Sequence, residues 1–307
     1  MRSENFTSIT EFILVGLTSH RRSQILLFVI ILLIYTLTVT GNLGIIMVIR
    51  ADPHLHTPMY FFLKHFAGLE ICYVTTSMPQ MLAHLQAGNG IISFRHCTAQ
   101  MYVSTCLGTV EFLLLGVMAY DRYLAICYPL VYTIAMGRGR QLQLASASWA
   151  GGFFSALIYV ACVLRHPYCG PNHINHFYCE LPLVLKLACA DTHITEAIIF
   201  VLAGVLLAGP LAAILTSYIQ ILSTVLQMKS TAGRRKAFST CGSHLLVVSL
   251  YYGTVVSMFM RPRSSSASDV DKHIAVFYVV ITPLLNPIIY TLRNKDIHAA
   301  VAKILRR

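Results

Sequence analysis

Seven windows of this chain run for roughly twenty residues or more with two or fewer formal charges. They are Gln24 to Ile49, Pro58 to about Leu82, Cys97 to Tyr120, Gln141 to Leu164, Ala197 to Met228, Ala237 to Met260 and Ile274 to Leu292. A helix crossing a hydrocarbon core of ~30 Å needs about 20 apolar residues. The second window holds Lys64 and Glu70, the third only Glu111, and the sixth only His244 among titratable groups of that kind. The chain is 56% hydrophobic and 11% charged. Soluble domains carry roughly 25% charged residues, so this one cannot cover a water-exposed surface. The reading is an all-α integral membrane protein, a seven-transmembrane helix bundle, with 24–292 as the bundle. Residues 1–23 form an outer N-terminal segment and 293–307 an inner tail.

The net charge of +11 lies between the apolar windows. It therefore reports membrane topology rather than nucleic-acid binding. Residues 50–57, 128–140, 227–238 and 293–307 together carry 12 Lys/Arg and two acids, against nine and seven on the opposite side. The basic side is expected in the cytoplasm and the N terminus outside. Arg21 and Arg22 dissent, and the run Arg234–Arg235–Lys236 outweighs them. Two cues agree. Asn5-Phe6-Thr7 is a glycosylation sequon, useful only in the lumen. Cys97, Cys169, Cys179 and Cys189 all fall on the outer side, where disulfides persist.

The other cysteines of the apolar windows, Cys72, Cys106, Cys162 and Cys241, read as small buried hydrophobes. Glu4 and Glu11 interrupt the N terminus, which lacks the apolar core of a cleavable signal, so the first span would serve as an uncleaved anchor. After the last span, Ile297, Ala300, Val301 and Ile304 recur at helical spacing among Lys295, Lys303, Arg306 and Arg307. That is the pattern of a short amphipathic helix lying on the inner leaflet, in contact with membrane lipid.

Four ordered stretches resemble one family. They are Pro58-Met59-Tyr60; Met118-Ala119-Tyr120-Asp121-Arg122-Tyr123 with Leu124-Ala125-Ile126-Cys127; Lys236-Ala237-Phe238-Ser239-Thr240-Cys241 leading to Ser243-His244; and Pro283-Leu284-Leu285-Asn286-Pro287-Ile288-Ile289-Tyr290. Together they are similar to the signature set of vertebrate olfactory receptors, a branch of the rhodopsin-like G protein-coupled receptors. The long second outer loop with three cysteines points to the tetrapod-type class. Lys64-His65-Phe66-Ala67 departs from the usual Ser/Asn/Leu-type stretch, with Lys64 snorkelling to the headgroups.

The resemblance implies the following roles. Arg122 would be held at rest by Asp121 and would meet a heterotrimeric G protein of the stimulatory type on activation, with Tyr123 adjacent. Asn286, Pro287 and Tyr290 would form a mobile kink, because proline removes a backbone donor; Tyr218 and His244 would be further switch residues. Glu70 and Glu111 would lie side by side, facing Asn42 and Asn286. An unpaired buried carboxylate is costly, so a Na⁺ ion or a shared proton is expected there. No other cofactor is expected. Cys97–Cys179 would tie the third span to the outer loop. Cys169–Cys189 follows the family pattern, although four cysteines allow three pairings. His176-Phe177-Tyr178-Cys179-Glu180 has the look of a metal-binding run, but a disulfide-bonded cysteine is no thiolate ligand, and no metal site is expected.

By helical phase and resemblance, the ligand pocket is expected to be lined by Thr105, Gly108, Thr109 and Phe112 of the third span. Leu202, Ala203, Leu206 and Leu207 come from the fifth, Tyr252, Val255, Val256 and Phe259 from the sixth, and Val276 and Val279 from the seventh. The set is apolar with a few hydroxyls, and it suits a small neutral volatile odorant better than an amine or a carboxylate. Arg261 and Arg263 sit too near the rim to bind one. The implied localisation is the plasma membrane, and sensory cilia in particular. A transporter would show repeats or paired broken helices, and the chain shows neither. No nucleophile–base or metal-ligand constellation marks an enzyme. A receptor of the same fold for a non-odorant metabolite is the remaining alternative.

Overall fold

A computed structural model describes residues 9–169, 172–259, 267–293 and 295–305. The sequon at Asn5, the rim arginines Arg261 and Arg263, and Arg306 and Arg307 lie outside them. Among the described residues, seven long helical rods form one bundle. They are α1 (Arg21–Ala51), α2 (Pro58–Ala87), α3 (Phe94–Cys127), α4 (Arg138–Leu164), α5 (His193–Gln227) and α6 (Thr231–Phe259), followed by α7. The last runs as Ala267–Val276, a π-helical turn Phe277–Ile281, and Thr282–Arg293. A short α8 (Lys295–Leu305) follows.

Four of these helices, α1, α3, α4 and α5, and the stretch Val270–Thr291 of α7 are long and apolar enough to cross a membrane by composition alone. The other two rods, α2 and α6, are more polar, and both turn polar groups inward: Glu70 and His244 are fully buried. The exterior is the reverse of a soluble surface. Leu26, Val29, Leu33 and Met47 on α1, and Phe200, Val201, Val205, Ile219 and Leu226 on α5, are exposed. A continuous apolar exterior of this kind needs lipid as its solvent. At the centre, α3 buries Val110, Leu114, Leu115 and Ala119 completely.

Small residues set the closest helix approach, as expected where lipid supplies no hydrophobic drive. At Gly152 of α4, an added Cβ would run into the Val110 side chain and come within 2.6 Å of the Cys106 carbonyl oxygen on α3. Gly152→Val therefore pushes α4 off α3 and is expected to cost about 1–3 kcal/mol by overpacking. Surface receptor counted by an N-terminal epitope should fall severalfold, and wild-type levels would contradict the packing described.

Periodicity predicted helices alone, but the outer end carries a small sheet. Its central strand β1 (Glu11–Leu14) pairs antiparallel with β2 (Ile91–Ser93), with Phe12 opposite Ile92, and parallel with β3 (His173–Ile174). Alternation puts Phe12 and Leu14 inward, where they are buried with Met101, Tyr168, Ile174 and Leu181. A four-residue strand is too short to stand out from sequence, so the outer N-terminal segment, for which no structure was expected, is in part a structural plug. Gly90 makes the pairing possible: a Cβ there would overlap the Leu14 carbonyl, whose amide donates to the Gly90 oxygen at 2.8 Å.

Two disulfides close the outer face, Cys97–Cys179 with Cα atoms 5.5 Å apart and Cys169–Cys189 at 5.9 Å. The dissenting Arg21 is explained locally. Its guanidinium donates to the carbonyls of Leu85 (3.1 Å) and Gln86 (3.0 Å), the orphan acceptors at the C-terminal end of α2. The charge thus caps the C-terminal end of α2. Of the apolar-window cysteines, Cys241 is buried, Cys106 and Cys162 are half-buried, and Cys72 is exposed on the lipid-facing side of α2 rather than buried. Lys64 lies over the Phe61 ring at 5.7 Å, one way of holding a cation at the inner end of α2.

On the inner side, α8 buries Ile297 and Ala300 against the bundle. The Tyr60 hydroxyl donates to Asp296 at 3.2 Å, and Lys303 pairs with Asp52 at 3.5 Å, which ties α8 to the first inner loop.

Candidate functional site

At the inner end of α3, Asp121 and Arg122 are 2% and 5% exposed, so neither is a free surface charge. The expected mutual lock takes another form. The Asp121 carboxylate accepts from the Tyr132 hydroxyl at 2.9 Å, and Arg122 Nη1 points at Met59 Sδ at 2.7 Å. Adjacent helical residues diverge by about 100°, so they do not face each other. The acid therefore bonds to the short helix Tyr132–Ala135 of the second inner loop, while the arginine reaches only a thioether sulfur of α2. Arg122 Nε has no hydrogen-bond partner among the described residues, and the same holds for the Tyr290 hydroxyl nearby on α7. Tyr123 packs its ring against Tyr128 at 5.5 Å and Tyr120 at 6.3 Å.

His244 bridges three helices. Its Nε2 meets the Leu115 carbonyl of α3 at 3.1 Å, and its Nδ1 meets the Tyr218 hydroxyl of α5 at 2.8 Å. A carbonyl only accepts, so these partners put the ring proton on Nε2 and leave Nδ1 to accept from Tyr218.

At mid-bundle, Glu70 Oε1 accepts from the Tyr251 hydroxyl at 2.5 Å and from the Asn286 amide, which also donates to the Tyr251 oxygen at 3.0 Å. Glu70 Oε2, Glu111 Oε1 and Asn286 Oδ1 are buried without a hydrogen-bond partner among the described residues. All three are acceptors, which is the donor set a hard cation or a proton would satisfy. Asn42 does not join them: its amide donates to the Thr38 carbonyl of its own helix at 3.0 Å. Pro287 instead abuts α1, where a Cβ on Gly41 would lie 3.3 Å from it.

In the outer half, the expected pocket is only partly assembled. Phe112 meets Tyr252 edge-on at 5.1 Å, and the Tyr252 hydroxyl reaches the Leu207 carbonyl at 3.3 Å. These three form its floor. Half-buried Thr105 and Gly108 lie above Phe112, and a Cβ on Gly108 would meet nothing within 4 Å. Val255 and Val276 are half-buried, and Val279 is fully packed in the core. The α5 residues Leu202, Ala203 and Leu206 pack on the outer cluster that includes Tyr159 and Val160.

Two expectations need correction. Val256 is 42% exposed and faces outward, since it lies one position past Val255 on the helix. Thr109 turns to α4: its hydroxyl donates to the Thr105 carbonyl at 2.9 Å and sits 3.4 Å from Ser155 Oγ. It is thus committed to helix packing rather than to a ligand. The side chain of Phe259 lies outside the described set. A groove of about 320 Å³ opens beside the pocket, between α6 and α7, lined by Gly253, Thr254, Ser257, His273, Ile274 and Phe277.

The structure also adds residues that helical phase did not find. Tyr178, next to Cys179, is drawn down by the disulfide to meet the Tyr278 hydroxyl of α7; Tyr178 is buried and Tyr278 half-buried. The signal was in the sequence: a bulky neighbour of a bridged cysteine must descend with it. Gln100 fixes the loop, accepting from the Cys179 amide at 2.8 Å and donating to Gln80 Oε1 at 2.7 Å and the Thr76 carbonyl at 3.1 Å. In the loop above, burial pushes Glu180 up to about 7, with the nearby Asp271 raising it further and Lys186 partly offsetting. Burial drives His176 down to about 3, with Lys272 adding to the shift. His176 is therefore neutral at neutral pH, and its 3.8 Å contact with Glu180 is not a full ion pair. No group of three or more metal-ligating side chains occurs among the described residues.

A lipid-facing helical bundle with disulfides and a small sheet at one end, a buried polar centre and a buried arginine toward the other is a seven-helix membrane receptor by class. The family model for olfactory receptors matches residues 30–307. Olfactory receptor 5G9 of Mus musculus is 44% identical over 307 residues, covering 100% of this chain and 98% of its own length. Olfactory receptor 8U9 of Mus musculus is 47% identical over 305 residues (99% and 97%), and olfactory receptor 2G3 of Homo sapiens is 46% identical over 301 (98% and 97%). The chain belongs to the olfactory receptor family. It is a membrane receptor and not an enzyme.

Proposed function

We propose that this receptor binds small, mostly apolar neutral odorants in the outer half of the bundle and activates a stimulatory heterotrimeric G protein, raising cAMP. One observation carries the reading: the aromatic floor made by Phe112 and Tyr252 stands on the two helices that His244 joins at the inner end, beside buried Arg122. A ligand that favours a different spacing of α3 and α6 biases that joint, and only a differential affinity of this kind can shift the equilibrium. Contacts on the floor are dispersion plus one or two hydrogen bonds from Thr105 or the tyrosines. Each buried methylene is worth ~0.8 kcal/mol, so neighbouring homologues should differ a few fold.

The N terminus lies outside the plasma membrane of sensory cilia in this reading, and α8 rests on inner-leaflet lipid. The acceptor oxygens of Glu70, Glu111 and Asn286 suit a Na⁺ ion or a shared proton, which would neutralise the acid pair. The test is a cAMP reporter in cells co-expressing a stimulatory G protein, challenged with a broad panel of odorants and of water-soluble metabolites. Odorant-evoked cAMP supports the assignment. A response confined to polar metabolites would replace odorants with a non-odorant ligand, and a receptor delivered to the surface but silent to both would count against it.

A further inference from the structure

Tyr251 touches both the pocket floor and the buried acid. Its ring stands edge-on to Phe112 at 6.2 Å, and Phe112 in turn meets Tyr252. Its hydroxyl donates to Glu70 at 2.5 Å and accepts from Asn286 at 3.0 Å. The same ring stands edge-on to Phe66 at 6.1 Å, and Phe66 meets Tyr290 at 6.4 Å. The side chain is 3% exposed, so it cannot shift without changing these neighbours. One phenol from α6 thus holds α2 and α7 by hydrogen bonds and α3 by its ring.

We propose that Tyr251 is the positioning residue that couples ligand contact at Phe112 and Tyr252 to the Glu70–Asn286 pair, and that its bond to Glu70 holds the resting state. The inference rests on the receptor reading above. An odorant that displaces the Phe112 ring moves its partner Tyr251. The hydroxyl then leaves Glu70, and α6 is released from α2 and α7 together. A buried network of this kind is bistable rather than elastic, because a half-made hydrogen bond to an acid is costly.

The decisive measurement is odorant-free and odorant-evoked cAMP for Tyr251→Phe, at matched surface density. Loss of one buried hydrogen bond shifts a two-state equilibrium by about tenfold, so odorant-free cAMP should rise by roughly fivefold or more. In a Glu70→Ala background the acceptor is already gone, and the same change should move odorant-free cAMP by less than about twofold. A residue that merely fills space would give the same effect in both backgrounds.

If Glu70→Ala is retained inside the cell, 3-fluorotyrosine at position 251 replaces it. Its hydroxyl is a stronger donor on nearly the same shape, and odorant-free cAMP must then fall below wild type. Unchanged odorant-free cAMP in Tyr251→Phe, equal effects in the two backgrounds, or no fall with the fluorinated ring overturns the inference. A wild type that responds to odorant while Tyr251→Phe matches it leaves the receptor assignment standing. A wild type that answers no odorant strikes the assignment first, and the inference with it.

Discussion

Arg122→Ala is expected to abolish odorant-evoked cAMP while leaving receptor at the cell surface. The guanidinium is 5% exposed and lies at 2.7 Å from Met59 Sδ, a soft partner that satisfies little of its charge. Its Nε has no partner among the described residues. An arginine kept so poorly satisfied gains most when an anionic or carbonyl acceptor is offered, and each charge-assisted bond to such a partner is worth about 1.5–3 kcal/mol. Losing one or two of them should cut signalling by more than roughly tenfold. Removing the charge relieves a desolvation cost in the resting bundle, so surface density should hold. Undiminished cAMP in Arg122→Ala would take the inner switch away from this residue. Arg122→Lys should restore little, because a point charge cannot make the paired bonds of the planar fork.

Phe12→Ala is expected to remove most of the receptor from the surface, although the residue lies before the first span. Its ring is fully buried, stacked on Phe94 at 5.7 Å and edge-on to Tyr168 at 6.4 Å. Truncating a buried phenylalanine costs about 3–5 kcal/mol, a large share of the stability of any single bundle. The loss falls on the cluster that seats both Cys97 and Cys179, so the loop over the pocket loosens with it. A thermal-shift measurement in detergent should report a lowered midpoint, and surface staining a matching deficit. Ile13→Ala is the control, since Ile13 points the other way on the strand and is half-buried. Equal behaviour of the two variants would refute the inward register.

The spans were legible because desolvation acts segment by segment: a charge-free window of sufficient length is decided by its own residues. The boundaries were less so. Helix α1 starts at Arg21 rather than Gln24, because Arg21 is held by carbonyls of α2 that a sequence window cannot contain. Helix α6 starts at Thr231 and so absorbs the basic run, since charges are tolerated once the helix leaves the hydrocarbon. Site residues divide in the same way. Arg122, His244 and Glu70 were legible because a charged or polar group inside an apolar window demands an explanation by itself. Their partners were not: Asp121 answers to Tyr132, and Arg122 to Met59.

The sequence alone thus determined the membrane as solvent and the identity of the costly buried groups, because each follows from transferring one segment out of water. Tertiary structure alone decided which groups meet. Tyr251 and Glu70 are 181 residues apart in the chain, and β1 pairs with strands from two distant loops. Contacts of that range depend on the relative rotation and depth of whole helices, which no local pattern of side chains specifies.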